Sequence, residues 1–571
     1  MEPRKPYSLA SVLYNHNPFY LISTCFVLYA IKRVFRPMEV PYIDPWMLMA
    51  AMGGLTVFMA ITAWVIVRFG KIWEDARSLM LVLVIMFLAM SVSFDELLNL
   101  RGSGAYWLLG LGFLVSILIT ECVVGLLQIP FPWLFRLPFY LMLGLFFGFP
   151  VLVSNEVQSL SEFATRCRIA LFPSIAAIIT LTLLPAVRRG PGFINDCVTP
   201  CPWRWPLLPW TLFGFLWLAV CGRSYYLSIS FDTSWGHVDE MFTSFGAYAL
   251  IPFLLSVCVV LLEIAFVRGS RRFQNGVVLI GSAVLVACSL PYGMGDPIYE
   301  SFLRIVVRSV GSPIFITLFG VFLFGSYAWW RGVRMAELVV LGSLAGLSVV
   351  GWRTMSVETL TTPHVVPIGM IFGLLLITGL SRRDAFRTYL GLTAVSAAIS
   401  VLLWNHEMVV FRRIVPIHFQ LLATIAVGAL FRGKVATFLH RAGALLVPVV
   451  ITVTTRSLFN LKMPGLICAT YFVSVAFLCL AYAWFRSEND YKLMGGATLV
   501  AGAIRLVMFG FVWLREVFGV DVVWTVSLGA TCFLVGAWIT AHKAKLLPRL
   551  EKPTGANGGG PMGEQTYKGS S

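Results

Sequence analysis

Between Pro18 and Thr540 the chain repeats one pattern, an apolar run of membrane length followed by a short polar or basic break. A helix needs about 20 apolar residues to cross the roughly 30 Å hydrocarbon core of a bilayer. No water reaches the backbone there, so a spanning segment must satisfy its own N–H and C=O groups, as a helix does and a lone strand does not. The runs are continuous rather than alternating, and about twice the length of a barrel strand. They predict an all-α fold, a polytopic integral membrane bundle of about 18 transmembrane helices. The expected spans are 18–34, 45–67, 78–94, 105–128, 137–153, 169–187, 206–230, 245–267 and 277–291, then 313–330, 336–352, 364–380, 386–404, 416–431, 442–460, 464–485, 493–514 and 522–540.

Composition points the same way. Apolar residues make up 58% of the chain and charged residues 12%, with a mean hydropathy of +0.84. Soluble domains carry about a quarter charged residues, and a soluble fold of this size could not hide so much hydrocarbon. No break between runs is long enough to bury a core of its own; the longest is 188–205. The expected organisation is a cytoplasmic segment at 1–17, a membrane domain at 18–540 and a polar, Gly-rich cytoplasmic tail at 541–571, expected to be disordered. The first apolar run follows a basic start, as in a signal peptide. It ends on Lys32 and Arg33 with no small-x-small cleavage site, so it is read as an uncleaved first span.

The net charge of +16 does not imply a nucleic-acid partner, because the basic residues are scattered singly or in twos and threes between apolar runs. Membrane orientation accounts for it. With both termini cytoplasmic, the clusters Arg188/Arg189, Arg268/Arg271/Arg272, Arg382/Arg383/Arg387 and Arg432/Lys434/Arg441 all fall inside, and Asp232, Asp239 and Glu240 fall outside. Lys32, Arg33 and Arg36 run against this rule. The expected location is the plasma (inner) membrane. Of eleven cysteines most lie in apolar runs, and the close pair Cys197 and Cys201 lacks a second pair to complete a metal site.

Motifs for nucleotide binding, zinc hydrolysis and serine hydrolysis are absent from the sequence, which argues against ATP hydrolysis by this chain. No metal or cofactor is assigned. The remaining candidates are charges in unfavourable places. Glu121 in ILITECVVGLL and Arg505 in AGAIRLVMFG lie deep in apolar runs, where insertion costs about 2.5–3.5 kcal/mol each. A cost of that size implies a partner, a hydrated cavity or a function. Arg223 and Glu263 lie nearer the span ends and read first as structural ion-pair members.

A second group falls at the outer boundary. His237 stands beside Asp239 and Glu240, His406 beside Glu407 with Arg412 and Arg413 following, and His364 and His418 begin other spans. Their spacing matches no metal signature. The third candidate is Arg304 with Arg308 in ESFLRIVVRSVGSP. Four residues apart, they share one face of an amphipathic stretch that could anchor at the outer leaflet or hold a lipid phosphate.

Three function classes follow. A secondary transporter or flippase ranks first, from many short-looped spans with buried charges. A membrane-embedded transferase or polymerase acting on a lipid-linked substrate ranks second, from the outer His/Arg/Glu set. A non-enzymatic sensor or assembly scaffold is the third. The expected partners are the bilayer and a small-molecule or lipid-linked substrate; substrate, coupling ion and oligomeric state are not encoded in any motif.

Overall fold

The computed structural model describes residues 19–34, 45–70, 73–101, 106–157, 162–190, 209–232, 234–235, 241–292, 295–354, 363–405, 411–460, 465–486, 489–518 and 520–543. The fold is an all-α polytopic membrane bundle. In chain order its helices are α1 Phe19–Val34, α2 Pro45–Val65, α3 Trp73–Arg101, α4 Tyr106–Leu126, α5 Trp133–Val157, α6 Glu162–Leu181, α7 Leu184–Arg188 and α8 Trp210–Phe231. Then follow α9 Ile251–Val267, α10 Arg271–Ser289, α11 Pro297–Ser309, α12 Pro313–Trp330, α13 Ala336–Val349, α14 Val365–Arg382 and α15 Ala385–Asn405. The last are α16 Phe411–Leu430, α17 Lys434–Asn460, α18 Gly465–Arg486, α19 Asn489–Phe518 and α20 Val520–Lys543.

Each apolar run read from the sequence lies in a helix over most of its length. Among the described residues, 12 helices are long and apolar enough to cross a membrane, and four shorter apolar ones, Ala336–Val349, Ile414–Leu430, Thr470–Phe485 and Ser527–Gly536, accompany them. The sole ladder among the described residues is a two-residue antiparallel pair, Ser234–Trp235 against Met241–Phe242.

The chain divides into two units, residues 1–378 with 397–402, and residues 379–396 with 403–571. In the first, α3, α5, α6, α8 and α9 surround a core rich in aromatic rings: Phe135, Phe146, Phe172, Phe213 and Phe253 are fully buried. Phe149 meets Phe172 edge-on at 5.1 Å. Lipid tails are as apolar as these side chains, so ring packing and polar contacts, rather than water exclusion, hold such helices together. The reverse surface is equally apolar: Ile178, Leu218 and Ile280 are each about two-thirds exposed, as suits a lipid-facing wall. Trp107 and Trp330 stand exposed at helix ends, where indoles favour the membrane interface.

In the second unit α16 and α17 form a close hairpin. A Cβ on Gly428 would stand 2.6 Å from the His440 backbone, so no other residue allows that approach. Tyr491 of α19 is buried beside His440 and donates its hydroxyl proton to the His440 carbonyl at 3.0 Å.

Candidate functional site

The short helix α11 carries Arg304 and Arg308, and its sequence explains both its start and its two faces. Asp296 caps it, one carboxylate oxygen accepting from the Ile298 and Tyr299 amides, and Pro297 occupies the first turn, where no amide is needed. The Glu300 carboxylate turns back to accept from the Gly295 amide at 2.8 Å. Tyr299, Phe302, Leu303 and Val307 are buried, and Arg304, Ile305 and Arg308 are exposed, the division expected of a helix lying on a bundle rather than crossing a membrane. Phe302 packs on Phe163 at the start of α6, and Tyr299 on Tyr248 before α9. Burial pushes the Tyr299 phenol up to about 12.

A tight turn brings a third cation to these two. Gly311 adopts φ +112°, a left-handed conformation that L side chains resist, and a Cβ there would stand 2.6 Å from the Trp352 ring. The Ser312 amide donates to the Trp352 carbonyl at 2.7 Å. Residues 351–354 close on themselves, the Gly351 amide donating to the Thr354 hydroxyl at 2.9 Å and the Thr354 amide to the Gly351 carbonyl at 3.1 Å. Trp352 is further held edge-on to Phe315 of α12 at 5.2 Å. Arg353 is thereby fixed opposite α11. Arg304, Val307, Arg308 and Arg353 line one open cleft of about 590 Å³.

Among the described residues, no carboxylate forms an ion pair with any of these three guanidiniums. Sequence reasoning named two of the three. Arg353 lacked a helical neighbour to mark it, because a turn and a tryptophan clamp, not residue spacing, bring it in.

Two other contacts border the same end of this unit. The Thr243 amide donates to Asp296 at 3.2 Å, tying the strand pair that brackets 236–240 to the cap of α11. The His364 amide donates to the Ser348 carbonyl at 2.6 Å, tying the start of α14 to the end of α13, a few residues before Arg353. His237, Asp239, Glu240, His406 and Glu407 lie outside the described residues, as do Cys197 and Cys201; Arg412 and Arg413 are described for their helical backbone. His418 sits in the second unit. Its Nδ1 is bonded to the Ile414 carbonyl at 2.7 Å, which makes that nitrogen the donor, and its Nε2 meets the Tyr471 hydroxyl in a helix–helix contact.

The deep charges form local pairs. Arg223 holds Asp95 with both ends of its guanidinium, and both side chains are buried. Glu263 accepts from the Tyr327 hydroxyl and faces Arg331 at 3.4 Å and Arg188 at 3.7 Å. Arg331 also stacks on Phe266, 4.4 Å from the ring centre. Glu121 pairs with Arg136 at 3.0 Å and accepts from the Tyr140 hydroxyl. Arg505 belongs to the second unit and is half-buried in α19, while Glu121 belongs to the first.

These contacts sort by end. Glu263 lies towards the C-terminal end of α9, while α11 packs before its N-terminal end through Tyr248. The three arginines and the Glu263 cluster therefore occupy opposite ends of the unit. No protein-family model, curated protein or solved structure matches this chain.

Proposed function

We propose that this multi-pass membrane protein acts on a phosphate-bearing, lipid-linked substrate held at the Arg304/Arg308/Arg353 cleft, as a membrane-embedded transferase or polymerase. The observation that carries the reading is the convergence of three exposed guanidiniums from two elements on one cleft. Arginine presents a planar fork of donors that matches phosphate oxygens, and it stays charged at any physiological pH. Ile305, Val310 and Trp352 are exposed around these arginines, so a ligand with an anionic head and a hydrocarbon tail finds both kinds of surface together.

One-sidedness separates this reading from the transporter or flippase that the sequence alone ranks first. A carrier needs a polar path to both faces. Here Asp95, Arg223, Glu121 and Glu263 are engaged in local pairs, while the cleft lies at one end. His364, whose backbone amide is anchored to the Ser348 carbonyl, supplies a group able to move protons near that same end. An imidazole suits the acid–base steps of a group transfer, and the arginines suit the charge that develops on phosphate.

The test uses the full chain purified in detergent. Farnesyl phosphate binding is measured by calorimetry for the native protein and for R304Q/R308Q/R353Q, with thermal unfolding of both as a control. Loss of binding at unchanged stability is expected; undiminished binding in the triple variant would refute the site. Incubation with lipid-linked phosphate substrates in vesicles, followed by chromatography, then distinguishes a transferase, which yields a new product, from a flippase, which leaves the lipid chemically intact.

A further inference from the structure

We infer that the cleft selects a diphosphate over a monophosphate on its lipid tail. This rests on the phosphate-binding reading above and narrows it by charge and by geometry. Arg304 and Arg308 stand one turn apart on α11, with about 5–6 Å between their Cβ atoms. They address one region from one helix. Arg353 comes from a different element, the turn at residues 351–354, and lines the cleft with them.

A lipid monophosphate is a monoester with about −1.5 to −2 charge near pH 7 and three terminal oxygens on one phosphorus. Two guanidinium forks from α11 already saturate such a group, leaving the third cation without an anion. A terminal diphosphate brings a second phosphate and a higher charge, which three guanidiniums match. Glu300, the acidic residue nearest in sequence on α11, is turned to the Gly295 amide and does not neutralise Arg304. The Gly311–Trp352 contact fixes the separation between α11 and the backbone turn that carries Arg353, so the third donor starts from a set position beside the other two. Arg304 and Arg308 take one phosphate group and Arg353 the other, while the tail lies along Ile305 and Val310.

The experiment titrates the detergent-purified full chain with farnesyl diphosphate, farnesyl monophosphate and inorganic pyrophosphate, all with EDTA present so that no divalent cation bridges. Farnesyl diphosphate should bind about tenfold or more tighter than the monophosphate, the difference expected for one added charge-assisted contact. R353Q should erase most of that preference while leaving monophosphate affinity within about threefold. Equal binding of the two lipids overturns diphosphate selection and leaves the phosphate-binding reading standing. No binding of either overturns both. Inorganic pyrophosphate binding as tightly as farnesyl diphosphate overturns the lipid-borne ligand in favour of a free anion. Should R353Q not fold, the three-ligand comparison on the native chain decides the question alone.

Discussion

Asp95 on α3 and Arg223 on α8 lie 128 positions apart in the chain and form a two-point ion pair inside the first unit, each side chain almost wholly shielded. The Arg223 guanidinium also reaches the Phe146 carbonyl of α5 at 3.4 Å, so one side chain links three helices. Removing one charge strands the other in a low-dielectric interior. D95N should therefore lower stability by about 3–5 kcal/mol, whereas replacing both members with leucine should restore most of it. Thermal unfolding in detergent reads this; a D95N protein as stable as the native one would remove the pair from the structural account.

The Glu121–Arg136 pair should behave differently, because both side chains are about a third or more exposed. E121Q is expected to cost less than D95N, since this pair is less enclosed by protein and Gln can keep hydrogen bonds to Arg136 and Tyr140. A double-mutant cycle should detect coupling of Glu121 with Arg136. Strict additivity of the two changes would contradict the observed pairing.

Gly311 links stability to the cleft. G311A adds a side chain at φ +112° and presses it into Trp352. A loss of about 1–3 kcal/mol is expected from the backbone strain alone. Adding W352A relieves the clash but not the strain, so G311A/W352A should recover part of the stability and none of the farnesyl diphosphate affinity. Calorimetry and unfolding measured on the same samples test both halves.

Tyr299 sets an alkaline limit on the docking of α11. Burial raises its phenol to about 12, above the ordinary value near 10. The folded state thus holds this proton more tightly than the unfolded chain. Its contribution is fully present below about pH 10 and is lost as pH rises through 12. Y299F should show a shallower stability loss than the native protein across that window, and matching slopes would argue against a buried phenol.

Sidedness gives the last test. Reporter fusions after Arg272 and Arg387 should read cytoplasmic and one after Glu240 exterior, following the bias of basic residues. Within the first unit, cysteines replacing Arg304 and Arg331 should label from opposite sides of sealed vesicles, since these residues occupy opposite ends of the bundle. Labelling from the same side would break that arrangement.

The class of fold was legible in the sequence, because a bilayer imposes a one-dimensional rule: a segment of sufficient apolar length must become a helix wherever its partners lie. The amphipathic character of α11 was legible for the same local reason, since residues four apart share a helix face. Partner choice was not. Arg223 gives no sign in the sequence that Asp95 awaits it, nor Glu121 that Arg136 and Tyr140 stand across the next turn, because pairing is settled by which helices pack together. Arg353 shows the limit most clearly. Its place beside Arg304 and Arg308 depends on Gly311 meeting Trp352 and on a backbone bond from Ser312, contacts between segments that come together only when the bundle has folded.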